Sequence, residues 1–147
     1  MKRLLAEESG SSVIEFVSIA LILLIPTLYL FATLFTIQSA SFAAEGIARE
    51  SARIMSEARD EGAARNYAAG VAAIAAHDLN VPSENIHLDI SCSTPSCLDA
   101  EADIDVSVTI EQPLPLIPAF IRDRLGTSVS VDAHALGIAN PYLERSR

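Results

Sequence analysis

The sequence feature that most constrains this chain is an apolar run without charges from Phe16 to Ile37. As an α-helix, these roughly 22 residues would extend about 33 Å, close to the hydrocarbon thickness of about 30 Å in a bilayer. The apolar core of an ordinary secretory signal is shorter, about 7–15 residues. The residues around its end, Thr36-Ile37-Gln38-Ser39-Ala40, also make a poor cleavage site. The run therefore predicts a helix that stays in the membrane.

The charges on either side of this helix predict its orientation. Lys2 and Arg3 precede it, whereas the flank after it carries Glu45 before Arg49 and no basic cluster. Basic residues favour the cytoplasmic side of a membrane. We therefore expect a single-pass protein with a cytoplasmic N-terminus and an extracytoplasmic C-terminal domain.

The size and charge of the chain exclude some classes of function. Of the 147 residues, about 110 remain outside the membrane segment, enough for a modest core but not for a deep catalytic cleft. The net charge is −9, and an acidic domain repels nucleic acid and anionic lipid headgroups. We expect no nucleic-acid partner, and interpret the acidity as serving solubility.

After the membrane segment, the apolar pattern continues at helical spacing. A stripe of mostly small residues is predicted to be buried, consisting of Phe42, Ala44, Ile47, Ala48, Ser51, Ala52 and Met55. Asp60-Glu61-Gly62 predicts a turn or kink. A second helix is then expected to run to about Leu79, because Asn80 and Pro82 form a stop signal. Its predicted buried face consists of Tyr67, Val71, Ile74 and Ala75.

Beyond Pro82 the apolar period changes to two, which is typical of half-buried strands. The three alternating stretches are 86–91, 103–110 and 128–135. They predict an α+β fold in which the 62–79 helix covers one face of a small three-stranded antiparallel sheet, leaving the other face in water. Pro118 and Gly126 bracket a short predicted helix over 119–125.

The two cysteines are Cys92 and Cys97, separated by four residues that include Pro95. A metal site would need more ligands nearby, and a redox pair is spaced more closely. The spacing favours a structural disulfide at the loop between the first two strands, in an oxidising compartment. Two unbonded thiols are the alternative.

The remaining polar residues give no positive argument for an enzyme. His77, His87 and His134 lack metal-ligand spacing, and Asp103 and Asp105 alternate onto the predicted wet face of a strand. Phosphate-binding glycine loops and nucleophilic serine motifs are absent from the sequence. We expect no catalytic residues, no metal site and no cofactor.

Glu15 lies at the beginning of the apolar run, where ionisable groups are costly and usually functional. In one interpretation, its side chain extends to the cytoplasmic headgroups and has no further role. In the other, cleavage after Gly10 makes Ser11 a new N-terminus, about 6 Å from Glu15 along the helix. A buried carboxylate would then need a cationic partner, which the new ammonium of a neighbouring copy could supply.

The residues at this junction resemble a known family. The sequence Gly10-Ser-Ser-Val-Ile-Glu15-Phe16 is similar to the class III leader of type IV pilins. The stretch from Gly10 to Met55, with Ala43-Ala-Glu-Gly-Ile-Ala-Arg-Glu-Ser-Ala-Arg53, resembles the TadE-like pseudopilins of the tight-adherence (Flp) pilus system. The resemblance covers about the first 55 residues closely, and the rest only in layout.

This resemblance implies processing by a prepilin peptidase in the inner (cytoplasmic) membrane and a minor-pilin role in Flp pilus assembly, secretion and adhesion. Gly10 would end the leader, Ser11 would begin the mature chain, and Glu15, followed by Phe16, would be the assembly glutamate. The implied partners are membrane lipid, the peptidase, other Tad/Flp pilins and the pilus assembly platform. The chain departs from many pilin leaders by carrying Glu7 and Glu8 where those are basic.

The expected organisation follows from these patterns together. It comprises a prepilin-type leader (1–10), a transmembrane helix (11–37), a juxtamembrane amphipathic helix (38–61), a small α+β extracytoplasmic domain (62–139) and a flexible tail (140–147). The competing interpretation is an uncleaved, signal-anchored envelope protein that presents a small binding domain.

Overall fold

The computed structural model describes residues 8–117, 124 and 127–142, with side chains from Ser12 onward. The predicted α+β class is confirmed. The elements are helices α1 (Glu8–Ser56) and α2 (Glu61–Leu79), a 3-10 turn (Ser83–Asn85) and strands β1 (Ile86–Cys92), β2 (Asp103–Pro113) and β3 (Ser128–Ile138). The chain divides after Phe35 into two compact units. The short helix predicted over 119–125 lies, apart from Arg124, outside the described residues, as do most of the predicted leader and the last five residues of the predicted tail.

The three strands form one antiparallel sheet in the order β1-β2-β3. Alternate side chains of the central strand β2 are fully buried, namely Ile104, Val106, Val108 and Ile110. Each lies beside an apolar or small residue of the neighbouring strands, as in the pairs Val106–Ile90 and Val106–Ala135. The period-two pattern therefore predicted the buried and wet faces of β2 correctly, because successive strand residues point to opposite sides.

Helix α2 contributes a different face to the core from the one the sequence predicted. Its buried residues are Ala64, Ala68, Ala72 and Ala76, whereas Tyr67 is 71% exposed and Ile74 is 66% exposed. Val71 and Ala75 are partly buried at the edge of the core. An alanine row allows the helix backbone to approach the core closely, which a row of large side chains would prevent. The prediction of Tyr67 and Ile74 as buried residues was wrong.

The C-terminal part of α1 belongs to the same core as the sheet. The predicted stripe is buried from Ala44 to Met55, and Ala40 extends it by one turn. Phe42 is the exception, because it is 74% exposed. It stands two residues from Ala40, about 200° around a helix with 3.6 residues per turn, so its side chain points away from the stripe.

The break between the two helices lies slightly before the predicted turn. Helix α1 ends at Ser56, and Asp60 is the N-cap of α2, accepting a 2.6 Å hydrogen bond from the Ala63 N–H. Glu61 and Gly62, which the sequence placed in the turn, are therefore the first helical residues. At the other end of α2, Asn80 adopts the left-handed conformation (φ 53°) and closes the helix, in agreement with the predicted stop.

The end of β3 is fixed against the end of α1 by a close approach of the two backbones. A Cβ atom on Gly137 would lie 2.5 Å from the Ser56 hydroxyl and 3.1 Å from the carbonyl oxygen of Ala52. Just beyond the strand, the Asn140 N–H donates a 3.0 Å hydrogen bond to the Ser56 carbonyl. Only glycine fits at position 137 without displacing the helix end.

Candidate processing junction and membrane anchor

The N-terminal part of α1 is long and apolar enough to cross a membrane. The large apolar side chains between Val13 and Phe35 are exposed, among them Phe16, Ile22, Ile25 and Phe31. The most apolar window of this helix is 0% buried. A core helix of similar composition in a soluble protein would be mostly buried, whereas a signal sequence near the N-terminus would share this exposure.

Polar groups within this apolar segment are satisfied by the helix itself. The hydroxyls of Ser18, Thr27 and Thr33 each donate to the carbonyl four residues earlier, at 2.7, 2.7 and 2.9 Å. Pro26 lies inside the helix and has no N–H to donate to the preceding turn. Helices in lipid tolerate such a proline because nearby hydroxyls and small adjustments satisfy the freed backbone groups. The segment thus presents few unmet hydrogen-bonding groups to an apolar solvent.

Glu15 is the charged group that stands out in this segment. The backbone of Gly10 and Ser11 is helical and continuous with that of Glu15, and the Glu15 side chain is exposed. Among the described residues, its carboxylate has no ion-pair or hydrogen-bond partner. A helical path from Ser11 to Glu15 places the two residues one turn, about 6 Å, apart. The geometry is suited to holding a cation beside this turn of the helix.

Charges farther along α1 behave differently, because they are paired with one another. Arg49 binds Glu45, and Arg53 binds both Glu50 (2.7 Å) and Glu57 (2.9 Å). The hydrogen bond from Arg53 lowers the pKa of the Glu50 carboxyl, and the same contact raises the pKa of Arg53. These i,i+3 and i,i+4 pairs lie on the exposed side of the helix. The unpartnered state of Glu15 is therefore not a general property of acidic residues on α1.

The two cysteines lie at the loop between β1 and β2 and form a disulfide, with Cα atoms 5.4 Å apart. Helix α2 holds this loop by a network that sequence spacing did not reveal. Arg65 pairs with Glu61 at 2.9 Å and also donates to the Ile90 carbonyl at 3.2 Å. Glu61 in turn accepts a hydrogen bond from the Cys97 N–H at 3.3 Å.

The other residues considered for chemistry are not brought together. His77, His87 and His134 are exposed. Within the described part of the chain, no three residues of the His, Cys, Asp and Glu types are grouped so as to hold a metal ion. Asp103 and Asp105 lie on the exposed face of β2, as the alternation predicted. The described structure does join Cys92 and Cys97, through their disulfide.

Comparisons with protein-family models, with characterised proteins and with solved structures gave no match to this chain.

Proposed function

We propose that this chain is a membrane-anchored minor pilin, or pseudopilin, that is clipped after Gly10 and takes part in assembling a tight-adherence (Flp) pilus. The observation that carries the proposal is the Glu15 carboxylate, which is exposed and unpartnered at the start of an apolar helix. It stands five residues after Gly10, the spacing found at the TadE-like junction that the sequence resembles.

The proposed role of Glu15 follows from the energetics of a charge in lipid. When the helix packs among other helices, the carboxylate leaves water and needs a cation, because an uncompensated buried charge costs about 3–5 kcal/mol. Cleavage after Gly10 creates such a cation, the ammonium of Ser11. The ammonium of one subunit would pair with Glu15 of its neighbour, so that only processed chains assemble without an unpaired charge.

The location and partners follow from the same proposal. The helix spans the inner membrane with its N-terminus in the cytoplasm, where the prepilin peptidase cuts the leader. The α+β domain lies outside, and the disulfide between Cys92 and Cys97 is consistent with an oxidising compartment. The apolar helix then packs with other pilins of the assembly platform. The outer domain is available for adhesion.

The first test is the intact mass of the protein extracted from membranes of cells that possess a prepilin peptidase. We expect a product that begins at Ser11, and we expect Gly10→Ala to abolish this shortening. The matched control is Gly46→Ala, which lies in the same helix and adds a Cβ with nothing within 4 Å. A full-length chain in the unaltered protein, or unchanged shortening in Gly10→Ala, would overturn the proposal.

The second test separates the role of Glu15 from cleavage. Glu15→Ala should be clipped normally, but should leave the ammonium of the adjacent subunit unpaired. We therefore expect recovery of partner pilins with the protein to fall by about tenfold or more. Glu45→Ala, whose side chain is exposed and paired with Arg49, is the control and should not change recovery. Equal recovery for both variants would favour simple extension of Glu15 to the headgroups.

The competing function is that of an uncleaved, signal-anchored envelope protein whose outer domain binds a ligand. The exposure of the Glu15 side chain near the N-terminal end of the apolar segment is compatible with that function too. The two functions predict different masses, because the anchored protein would keep its leader. The mass measurement above therefore decides between them.

A further inference from the structure

The outer, wet face of the sheet is polar along most of its length but apolar at one end. Along β3 the outward side chains are polar from Ser128 to His134, but the next two are Leu136 and Ile138. These two are 81% and 61% exposed, respectively. They line a groove of about 840 Å³ beside the β1–β2 loop. Exposed aliphatic residues that are grouped on an otherwise polar face are typical of an interaction surface.

The same groove carries unpaired negative charge. The strand register places Asp105 directly opposite Leu136, and Asp103 directly opposite Ile138. Both aspartates line the groove, and no basic residue is among the described residues that line it. Within the described chain, neither carboxylate has an ion pair. The groove therefore fits a surface that combines a cation with an apolar side chain.

The chain itself presents such a surface at the turn between its two helices. Arg59 is exposed and, unlike Arg49, Arg53 and Arg65, has no ion pair among the described residues. Tyr67 is exposed on the first turns of α2. Arg59 and Tyr67 line one shallow depression of about 360 Å³. Glu57 and Asp60 line it too, but Glu57 is paired with Arg53 and Asp60 accepts the Ala63 N–H. A free guanidinium and an exposed aromatic ring are the side-chain types most enriched at interface hot spots.

The two surfaces lie at the same level of the outer domain. Gly137, which lines the groove, lies against Ser56 and Ala52 at the end of α1. Arg59 follows three residues after Ser56, in the turn that leaves the same helix end. Two copies of the domain that stand side by side in the same orientation can therefore bring the groove of one to the Arg59 surface of the other.

We propose that the groove of Asp103, Asp105, Leu136 and Ile138 binds the Arg59–Tyr67 surface of a second copy of this chain. The contact joins two different surfaces, so in a pair one copy keeps a free groove and the other keeps a free Arg59 surface. Such heterologous contacts propagate into rows or helical arrays rather than stopping at a pair. The proposal goes beyond the proposed function, since it concerns the outer domain and does not depend on cleavage after Gly10.

The principal test is charge reversal in the full chain, purified with Gly10→Ala and reconstituted in liposomes at several protein-to-lipid ratios. The measured quantity is the fraction of chains that self-associate. Asp105→Arg or Arg59→Asp alone places like charges together, and we expect each to weaken association by about tenfold. The double variant Arg59→Asp/Asp105→Arg restores opposite charges and should recover most of the association.

The matched control is Glu111→Arg, which makes the same change of charge on the same face of β2 but at the other end of the strand. It should leave association unchanged. The proposal would be overturned if Asp105→Arg had no larger effect than Glu111→Arg, or if the double variant stayed as weak as the single ones. Because the leader is retained in every sample, these outcomes are independent of whether Ser11 and Glu15 act as proposed.

A photo-crosslinking amino acid at position 136 supplies an independent readout that needs no charge change. We expect crosslinked dimers whose second chain is attached within residues 57–67. Crosslinks to lipid alone, or to another region of the second chain, would contradict the proposed contact. In cells, crosslinks mainly to a different protein would show that the groove has another occupant and would equally overturn it.

Discussion

Helix α1 passes through two regions that expose opposite kinds of residue, although both are parts of one continuous α-helix. Between Val13 and Phe35 the exposed side chains are large and apolar. Between Ala40 and Met55 the apolar residues are mostly small and buried, while charged residues face outward. The difference lies in what each part packs against within the chain: no described residue covers the first part, which carries bulky side chains, whereas the second part fits against a sheet.

The charges of the two regions differ in the same way. In the second region, acidic residues such as Glu45 and Glu50 have arginine partners one turn away on the same helix. In the first region, Glu15 has no such partner among the described residues. Ion pairs on an exposed helix contribute little stability because water already solvates the charges. An unpaired carboxylate beside an apolar surface has a much larger energetic consequence, since it must find a partner whenever water is excluded.

The largest expected effect on stability comes from making the same substitution, isoleucine to alanine, once in the packed sheet and once in the apolar part of α1. Ile104 is fully buried at the centre of the sheet, whereas Ile25 is exposed in the apolar segment. We expect Ile104→Ala to lower the free energy of unfolding of the outer domain by about 2–5 kcal/mol, because it leaves a cavity in a packed core. Ile25→Ala should leave it unchanged. Hydrogen exchange of the β2 amides in the detergent-solubilised full chain measures both. Similar losses in the two variants would refute the comparison.

A second and smaller effect on stability compares a helix surface that is packed against a strand with one that is open to solvent. Gly137→Ala should lower the free energy of unfolding by about 1–3 kcal/mol, since the new Cβ overpacks the contact with α1. Gly70 lies inside α2 with nothing within 4 Å of an added Cβ. Gly70→Ala should therefore be stabilising by about 0.5–1 kcal/mol, because alanine loses less backbone entropy in a helix. The expected opposite signs can be read from thermal unfolding of the two variants.

Ser56 gives an internal check on the cause of the Gly137→Ala effect. Ser56→Ala removes the hydroxyl that the new Cβ would meet at 2.5 Å, but leaves the Ala52 carbonyl at 3.1 Å. The double variant should therefore regain part of the lost stability, though not all of it. If the double variant were no more stable than Gly137→Ala alone, the contact with the Ser56 hydroxyl would not be the cause of the lost stability.

The strands were predictable from the sequence because a single face of each is buried. In β2, Ile104, Val106, Val108 and Ile110 alternate with polar residues without interruption, and a shift of one residue would expose all of them. The face of the sheet on which each residue lies therefore follows from the pattern. The apolar end of β3 was not foreseen, because the alternation was followed only to Ala135. Extending it by three residues, to Ile138, would have placed Leu136 and Ile138 on the polar side.

The buried face of α2 was not predictable from side-chain size, because two of the largest side chains of that helix, Tyr67 and Ile74, are not the ones that pack. Tyr67 and Ile74 are larger than Ala68 and Ala72, yet the alanines are buried. Spacing alone allows either face, since both sets recur at helical intervals. The close approach at Gly137 likewise depends on a neighbour distant in sequence. The proposed junction at Gly10 and Glu15 depends on a short local spacing in the sequence, and it stays a prediction.

The smallest effect concerns the turn that separates the two helices and presents Arg59. Asp60→Ala removes the side-chain acceptor of the Ala63 N–H, which is hydrogen-bonded at 2.6 Å. Loss of an N-cap costs about 1 kcal/mol, because a helix N–H is left without a protein acceptor. Asp60→Ser keeps a capping oxygen and should retain most of the stability, which separates capping from the loss of a charge. The free energy of unfolding in denaturant measures both variants. Equal losses for alanine and serine would mean that the carboxylate acts through its charge, since serine replaces the acceptor but not the negative charge that favours the N-terminus of α2.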